Sequence, residues 1–444
     1  MTSPQPHGTF PGGTIAGQAQ HQGGGETLHQ ANHHAGHRGR HAGHQARSVA
    51  EHVAAVAELL RPLRALNRIE VLPLHEALGR GLVSDVTAPI SLPPFANSQM
   101  DGYAIRSADV PDGGTDFRVM PPVPAGASPA ALGPGMAAPI MTGAMLPEGA
   151  DAVVPIERAI PDRFLPHTEQ AMVKLPAAAP GAFVRYTGSD VRAGETALAS
   201  GTFLGPAQLG LLAALGISEV AVHKAVTVLL VTTGDEVVEP GQELPAGKIY
   251  DSNGTLLEAA MKQAGLQVRR AGIASDNPGE LRTLLRTEGG VDLIVTTGGV
   301  SKGAYEVVRQ AMEDQRVEFL HVAMQPGGPQ GIGTFEGRPF LGFPGNPVSC
   351  LVSFEMFLRP VLAGLFGTPA PRLPIRARLS RPLTSPEHKH QVRRGTLQPD
   401  GTVELQGGES SHLMHALAGS NVLVHVPEGV AALTAGAEVE VWML

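Results

Sequence analysis

Apolar residues recur at intervals of three and four in "SVAEHVAAVAELLRPL", which predicts a helix closing near Pro62. "RIEVLPL" and "GLVSDVTA" then read as strands. From Tyr103 to about Tyr186, short Val, Ile and Met segments alternate with Gly and Pro, as in "APIMTGAMLPEGADAVVPIE". That is the pattern of a small β domain with many turns. "GPAQLGLLAALGI" reads as a helix that returns the chain to its first region.

From Ala225 the pattern changes again. The strand-length runs "AVTVLLVTT", "LQVRRAGIA", "VDLIVTTGG" and "FLGF" alternate with the helical patterns "NGTLLEAAMKQAG", "PGELRTLLRTEGG", "GAYEVVRQAMED" and "PVSCLVSFEMFLRPVLAGLFG". Buried strands alternating with helices predict a doubly wound parallel sheet. After Pro371 only short strands follow. The expected fold class is therefore a multidomain α/β protein. Its parts are a doubly wound parallel α/β domain (223–368), an α+β region (48–100 and 187–222), a small inserted β domain (101–186) and a C-terminal β domain (369–444). Residues 1–47 are rich in Gly, Gln and His, with almost nothing to bury, and read as a disordered tail. Its histidines (His29, His33, His34, His37, His41, His44) could chelate metal incidentally, but nothing fixes a ligand geometry.

Composition narrows the function. The net charge is -8 and aromatics make up 4% of the chain, which gives neither a basic face nor interleaved aromatics for nucleic acid. A single cysteine, Cys350, excludes an intramolecular disulfide framework and a Cys-rich zinc site, and fits a reducing, cytoplasmic compartment. No apolar run is expected to reach the roughly 20 residues of a membrane span, and no secretory signal is visible. Asp101-Gly102 in "NSQMDGYAI" reads, from the residues alone, as a turn.

Ligands of an open parallel sheet bind beyond the carboxyl ends of its strands, so the residues after each strand are the candidates. They are Asp235 and Glu236 in "TTGDE", Asp276 in "SDNP", and Gly298, Gly299, Ser301 and Lys302 in "TTGGVSKG". Pro344, Gly345, Asn346 and Pro347 in "FPGNPVS" follow the last strand, and Asp251, Ser252 and Asn253 in "YDSN" cap a helix on the same edge. Taken singly, each reads as a cap or a turn. Together, two glycine-rich loops would aim backbone N–H groups at an anion. Asp235, Glu236 and Asp276 supply hard oxygens suited to Mg2+, and Lys302 adds a point charge. That combination suits a ligand carrying a phosphoanhydride.

In this order, "NSQMDGYAI", "IMTGAMLPEGADAVV", "TTGDE", "IYDSN", "TTGGVSKG", "LGFPGNPVS" and "GSNVLVHVP" resemble the molybdopterin molybdenumtransferases, the MoeA-type molybdate insertases similar to the gephyrin E domain. The resemblance runs from about Val53 to Leu444. It implies that adenylylated molybdopterin and molybdate are converted, with Mg2+, to molybdenum cofactor and AMP. It also implies an elongated homodimer of four-domain chains in which the 48–100 and 187–222 region is a dimerising arm. The active cleft would be shared, with Asp101, Thr142, Arg185 and Asp190 supplied across the dimer. Arg394 and Ser411 would face the cleft from the last domain. Other proteins of cofactor biosynthesis are possible partners. Two departures stand out. Many members carry "KPGKP", whereas this chain has "QPGGP" (Gln325 to Pro329), and Gln208 stands where Glu is common. Arg394 and Lys302 are the expected replacements for the missing charge.

Two alternatives remain. Adenylylation of molybdopterin would need only a domain like 223–368, and the extra regions argue against it. A non-catalytic scaffold need not keep acidic residues after its strands, and this chain keeps most of them.

Overall fold

The computed structural model describes residues 46–65, 68–168, 170–300 and 306–444. Residues 1–45 of the expected disordered tail, Ser301 and Lys302 lie outside them, whereas Arg47 is ordered, bridging to Val322 and pairing with Glu318 at 2.7 Å.

The central sheet has six strands: β1 (Thr227–Thr233), β2 (Gln267–Ala274), β3 (Leu293–Thr297), β4 (Arg316–His321), β5 (Pro329–Phe335) and β6 (Arg338–Phe343). Their spatial order is β2-β1-β3-β6-β5-β4. The first four strands in this order run parallel, as expected. β5 and β4 add an antiparallel edge that the sequence reading missed. Gly327, Gly328, Gly331 and Gly333 dilute the apolar pattern there, so the segment does not read as strand.

Alternate residues of β1 feed opposite sides of the sheet. Val228 and Leu230 pack into one core, and Leu229 and Val231 into the other. Every β1 residue is buried, which is why its sequence is continuously apolar instead of alternating. The flanking helices are α1 (Val49–Ala65), α2 (Pro206–Ala214), α3 (Ser252–Gln263), α4 (Pro278–Thr287), α5 (Val307–Ala311), α6 (Pro347–Ser353) and α7 (Arg359–Phe366). α2 belongs to the α+β region, where Leu212 packs with Ala77, Leu82, Val220 and Val222. α1 packs against the α/β domain from outside it in sequence. Val56, Leu60 and Leu63 enter the first α/β core, and the His52 ring meets Phe357 edge-on at 4.5 Å. The apolar stripe of α1 thus finds its partner on the helix layer of the sheet.

Pro347–Phe366 is one 20-residue helical run, passing through a π turn at Phe354–Leu358. It is long and apolar enough to cross a membrane, contrary to the expectation that no run reaches that length. It is instead mostly buried, with Val348, Leu351, Phe354, Phe357 and Leu362 packed in the first core.

The small β domain is a five-stranded sheet around Tyr103, Ile105, Phe117, Val154 and Val173. The C-terminal sheet closes on itself where His390–Leu397 pairs with Val422–Val426. Met324–Gln325 joins it alongside His390–Leu397. The QPGGP segment therefore crosses from the α/β domain to the C-terminal barrel.

The structure also changes the reading of Asp101-Gly102. Gly102 begins the strand Gly102–Ile105, and a Cβ there would overlap the Val154 carbonyl oxygen of the neighbouring strand. The glycine serves a close strand approach, not a turn. Gly102→Ala is expected to force the two strands apart and cost about 1–3 kcal/mol, read as a lower urea midpoint. An unchanged midpoint would contradict this packing.

Candidate active site

β1 stands between β2 and β3, and the chain reverses winding direction there. The crevice beyond the carboxyl ends of β1 and β3 is the switch point where open α/β sheets take ligands. A cavity of about 600 Å³ lies there. Its walls include Thr233 and Gly234 after β1, Gly298 and Gly299 after β3, and Ser252 and Asn253 at the start of α3, with Gly345, Asn346 and Pro347 leading into α6. The paired glycines are required by geometry. Gly298 and Gly299 have φ of +96° and +61°, and a Cβ on Gly298 would sit 2.9 Å from the Thr233 carbonyl oxygen.

The carboxylates after β1 and β2 clasp each other's loops. Asp276 N–H donates to Asp235 Oδ1 at 3.0 Å, and Asp235 N–H donates to Asp276 Oδ2 at 3.3 Å. Lys248 Nζ donates to the Asp235 carbonyl oxygen. Glu236 folds back over its own loop, where its Oε2 lies 2.6 Å from the place a Cβ of Gly234 would take. Glu236 and Asp276 line the cavity while Asp235 stands just outside its lining, and among the described residues no three such groups are placed to hold a metal ion together. Asp235 and Asp276 each retain one oxygen with no hydrogen-bond partner among the described residues. Mg2+ commonly takes one or two carboxylates and completes its shell with water and substrate phosphate. The donor set fits that arrangement and not an all-protein cage.

Asp251 is held by a dense set of bonds. Its side chain is buried and fully engaged. Oδ1 accepts from Gly254 N–H at 2.8 Å and caps α3, while Oδ2 accepts from Thr232 Oγ1 at 2.9 Å and Arg270 Nη2 at 2.5 Å. It anchors the loop while also lining the first cavity. Asn253 is a positioning residue too, because its Nδ2 donates to Thr297 Oγ1 at 3.1 Å and to the Gly345 carbonyl at 2.6 Å. Asn346, by contrast, stands at the N-cap of α6 without a side-chain cap bond, exposed on the cavity wall. The Cys350 thiol is buried, pushed up to about 12 by desolvation, and donates to the Pro344 carbonyl at 2.6 Å. It is a core group, not a nucleophile.

A second cavity, of about 420 Å³, shares Gly345 and Asn346 with the first. QPGGP forms one side, with Pro344, Ser349, Ser411, His321 and Lys389 around it. Ser411 lines this cavity, and its carbonyl accepts from Val348 N–H at 3.0 Å. Arg394 is 1% exposed, its Nη2 donates to the Gly408 carbonyl, and burial lowers its pKa. It is not among the residues that line either cavity, and its Nε has no partner among the described residues. Gln208 touches neither cavity; its Oε1 accepts from Gly205 N–H at 3.2 Å at the start of α2. Sequence reasoning missed Lys389 and His321. Their only signal was a basic run, "HKH", just before an apolar strand, and a histidine at the end of an unrecognised strand.

Asp101 and Thr142 come together in the small β domain. Thr142 N–H and Oγ1 donate to Asp101 Oδ1 at 2.7 and 2.8 Å, and these bonds hold the Asp101 carboxyl below its ordinary value of 3.8, so it is ionised at neutral pH. Arg185 is exposed on a short strand paired with Asn97–Ser98, and Asp190 is exposed beside it in sequence. None of the four lines either cavity.

Removing the buried Asp251 carboxylate leaves Arg270 partly unpaired and α3 uncapped. Asp251→Ala should cost about 3–5 kcal/mol of folding stability, measured by chemical denaturation. A loss below about 1 kcal/mol, the scale of an exposed pair, would contradict its anchoring role.

Known proteins resemble this chain along most of its length. Family models match the MoeA N-terminal region (domains I and II) over residues 47–216, a probable molybdopterin binding domain over 229–364, and the MoeA C-terminal region (domain IV) over 376–444. The chain is 44% identical over 404 residues to molybdopterin molybdenumtransferase 2 of Mycobacterium tuberculosis, covering 88% of this chain and 97% of that protein. It is 33% identical to the molybdopterin molybdenumtransferase of Haemophilus influenzae, covering 87% and 96%. Two crystal structures of the molybdopterin biosynthesis MoeA protein from Pyrococcus horikoshii are similar. One has a TM-score of 0.78 at 25% identity (90% of this chain, 100% of that one), the other 0.68 at 31% (87% and 98%).

Proposed function

The chain belongs to the MoeA family of molybdopterin molybdenumtransferases, and from that premise we propose that it inserts molybdate into adenylylated molybdopterin and releases AMP. The observation that carries this reading is the pair of cavities joined through Gly345 and Asn346 at the switch point of the sheet. One is lined by glycine turns, a helix start and carboxylate loops, which suits a phosphoanhydride. The other is lined by hydroxyls and an ammonium, which suits a tetrahedral oxyanion. Two substrates that must react are thereby held side by side.

In this reading the pyrophosphate of adenylylated molybdopterin lies against the Gly298-Gly299 turn and the α3 start. Ser252 and Asn346 orient its oxygens. Asp235 and Asp276 would hold Mg2+, which supplies charge neutralisation for cleavage of the phosphoanhydride. Asn253 keeps the Gly345 loop in register with both substrates. Asp101, Thr142, Arg185 and Asp190 line neither cavity of their own chain, and we assign them to the cleft of a second copy in a homodimer. A cytoplasmic location and contact with other proteins of cofactor biosynthesis complete the proposal.

Asp235→Asn should keep the fold and reduce AMP release by a factor of ~10² or more, because a charge partner of the transition state is lost. Full turnover by that variant at saturating Mg2+ would overturn the metal role. Asp101→Ala and Asp235→Asn should each be inactive alone, whereas mixed dimers should regain partial activity because one of their two clefts is intact. Absence of recovery after verified subunit exchange would place both residues in the same chain's site.

A further inference from the structure

The second cavity is where this chain departs most from the pattern it resembles, since Gln325 and Gly328 replace two lysines of KPGKP. The structure accounts for both positions. Gln325 Oε1 accepts from Gln391 Nε2 at 3.0 Å, so its amide ties the segment to the C-terminal barrel. A Cβ at Gly328 would lie 2.5 Å from both Cε1 and Nε2 of His321. The imidazole therefore occupies the space that a side chain at 328 would need.

Across the cavity, Lys389 precedes the strand His390–Leu397 and is held in a turn by its own N–H, which donates to the Pro386 carbonyl at 3.1 Å. It is half-buried, and among the described residues its ammonium makes no ion pair or hydrogen bond. Arg393 and Arg394, the next cations along the chain, are not among the residues that line this cavity, although each has a buried Nε with no partner among the described residues. Arg393 lies 3.8 Å from Glu409, the one carboxylate that lines the cavity among the described residues, and offsets its charge. Arg394 is buried against the Gly408 carbonyl. Ser349, Ser410 and Ser411 surround the remaining space.

We infer that Lys389 is the cation that recognises the tetrahedral oxyanion in this cavity, its charge standing in for the lysine that Gly328 does not provide, while His321 fills the space that lysine would occupy. The inference rests on the insertase reading for the identity of the oxyanion, molybdate. A compact ammonium with three rotatable donors suits a tetrahedral dianion. Losing one charge-assisted contact weakens binding by about ten- to a hundred-fold.

The test is titration calorimetry on the whole protein, with molybdate and with AMP as separate probes. Lys389→Ala should weaken molybdate binding by about ten- to a hundred-fold and leave AMP binding unchanged, and Lys389→Arg should retain most of the affinity. Adding H321A and G328K to K389A should restore molybdate binding, because the space is cleared and the charge is moved back. Unchanged molybdate affinity in K389A would overturn the inference. So would equal loss for both probes, or failure of the relocated lysine to rescue. Wild-type protein that binds both probes yet releases no AMP from adenylylated molybdopterin would instead overturn the insertase reading and leave the Lys389 assignment to the binding data.

Discussion

The site depends on how one short loop is held. Gly345 and Asn346 lie between the last parallel strand and the long central helix, and they form the wall shared by both cavities. The Asn253 amide bonds to the Gly345 carbonyl and to Thr297 Oγ1, so the start of α3, the end of β3 and this loop share one side chain. Cys350 and Thr297 both reach the Pro344 carbonyl from below. The loop thus has a buried polar floor, while Asn346 stays exposed towards ligand. Rigid positioning beneath and open donors above are what a two-substrate site requires.

The buried charges around this floor serve position more than attraction. Asp251 is removed from water, and that cost is offset only because three donors converge on it. The same physics separates Arg394 from Lys389. A buried guanidinium bonded to a backbone carbonyl supports the wall, whereas an ammonium with no ion pair among the described residues remains available to an anion.

The parts of the molecule that could be read from sequence share a physical cause. β1 is buried on both faces, so its apolar run announces a parallel strand, and the residues beyond such strands could be nominated before any coordinates. Gly298, Gly299, Ser252, Asn253, Gly345, Asn346 and Ser411 all line one of the two cavities. The failures have causes too. β4 and β5 lie at a glycine-rich edge where periodicity fades. Asp251 looks like a ligand from spacing alone, because spacing cannot reveal that Arg270, 19 residues later, reaches its oxygen. Glu236 has the right chemistry but turns back on Gly234. Lys389 was invisible because it belongs to a different domain from the loops it faces, and contacts between the domains, among them the seam at Met324–Gln325 and the Val348–Ser411 bond, bring it there.

The central claim is that the two cavities hold different substrates at once, the phosphoanhydride in one and the oxyanion in the other. Anomalous diffraction at the molybdenum edge, from crystals soaked in molybdate and AMP together, tests it most directly. The account predicts a molybdenum peak beside Lys389 and Ser411, with the AMP phosphate separately placed near Ser252 and Gly299. A molybdenum peak in the first cavity that AMP displaces, or no peak in the second at saturating molybdate, would contradict it.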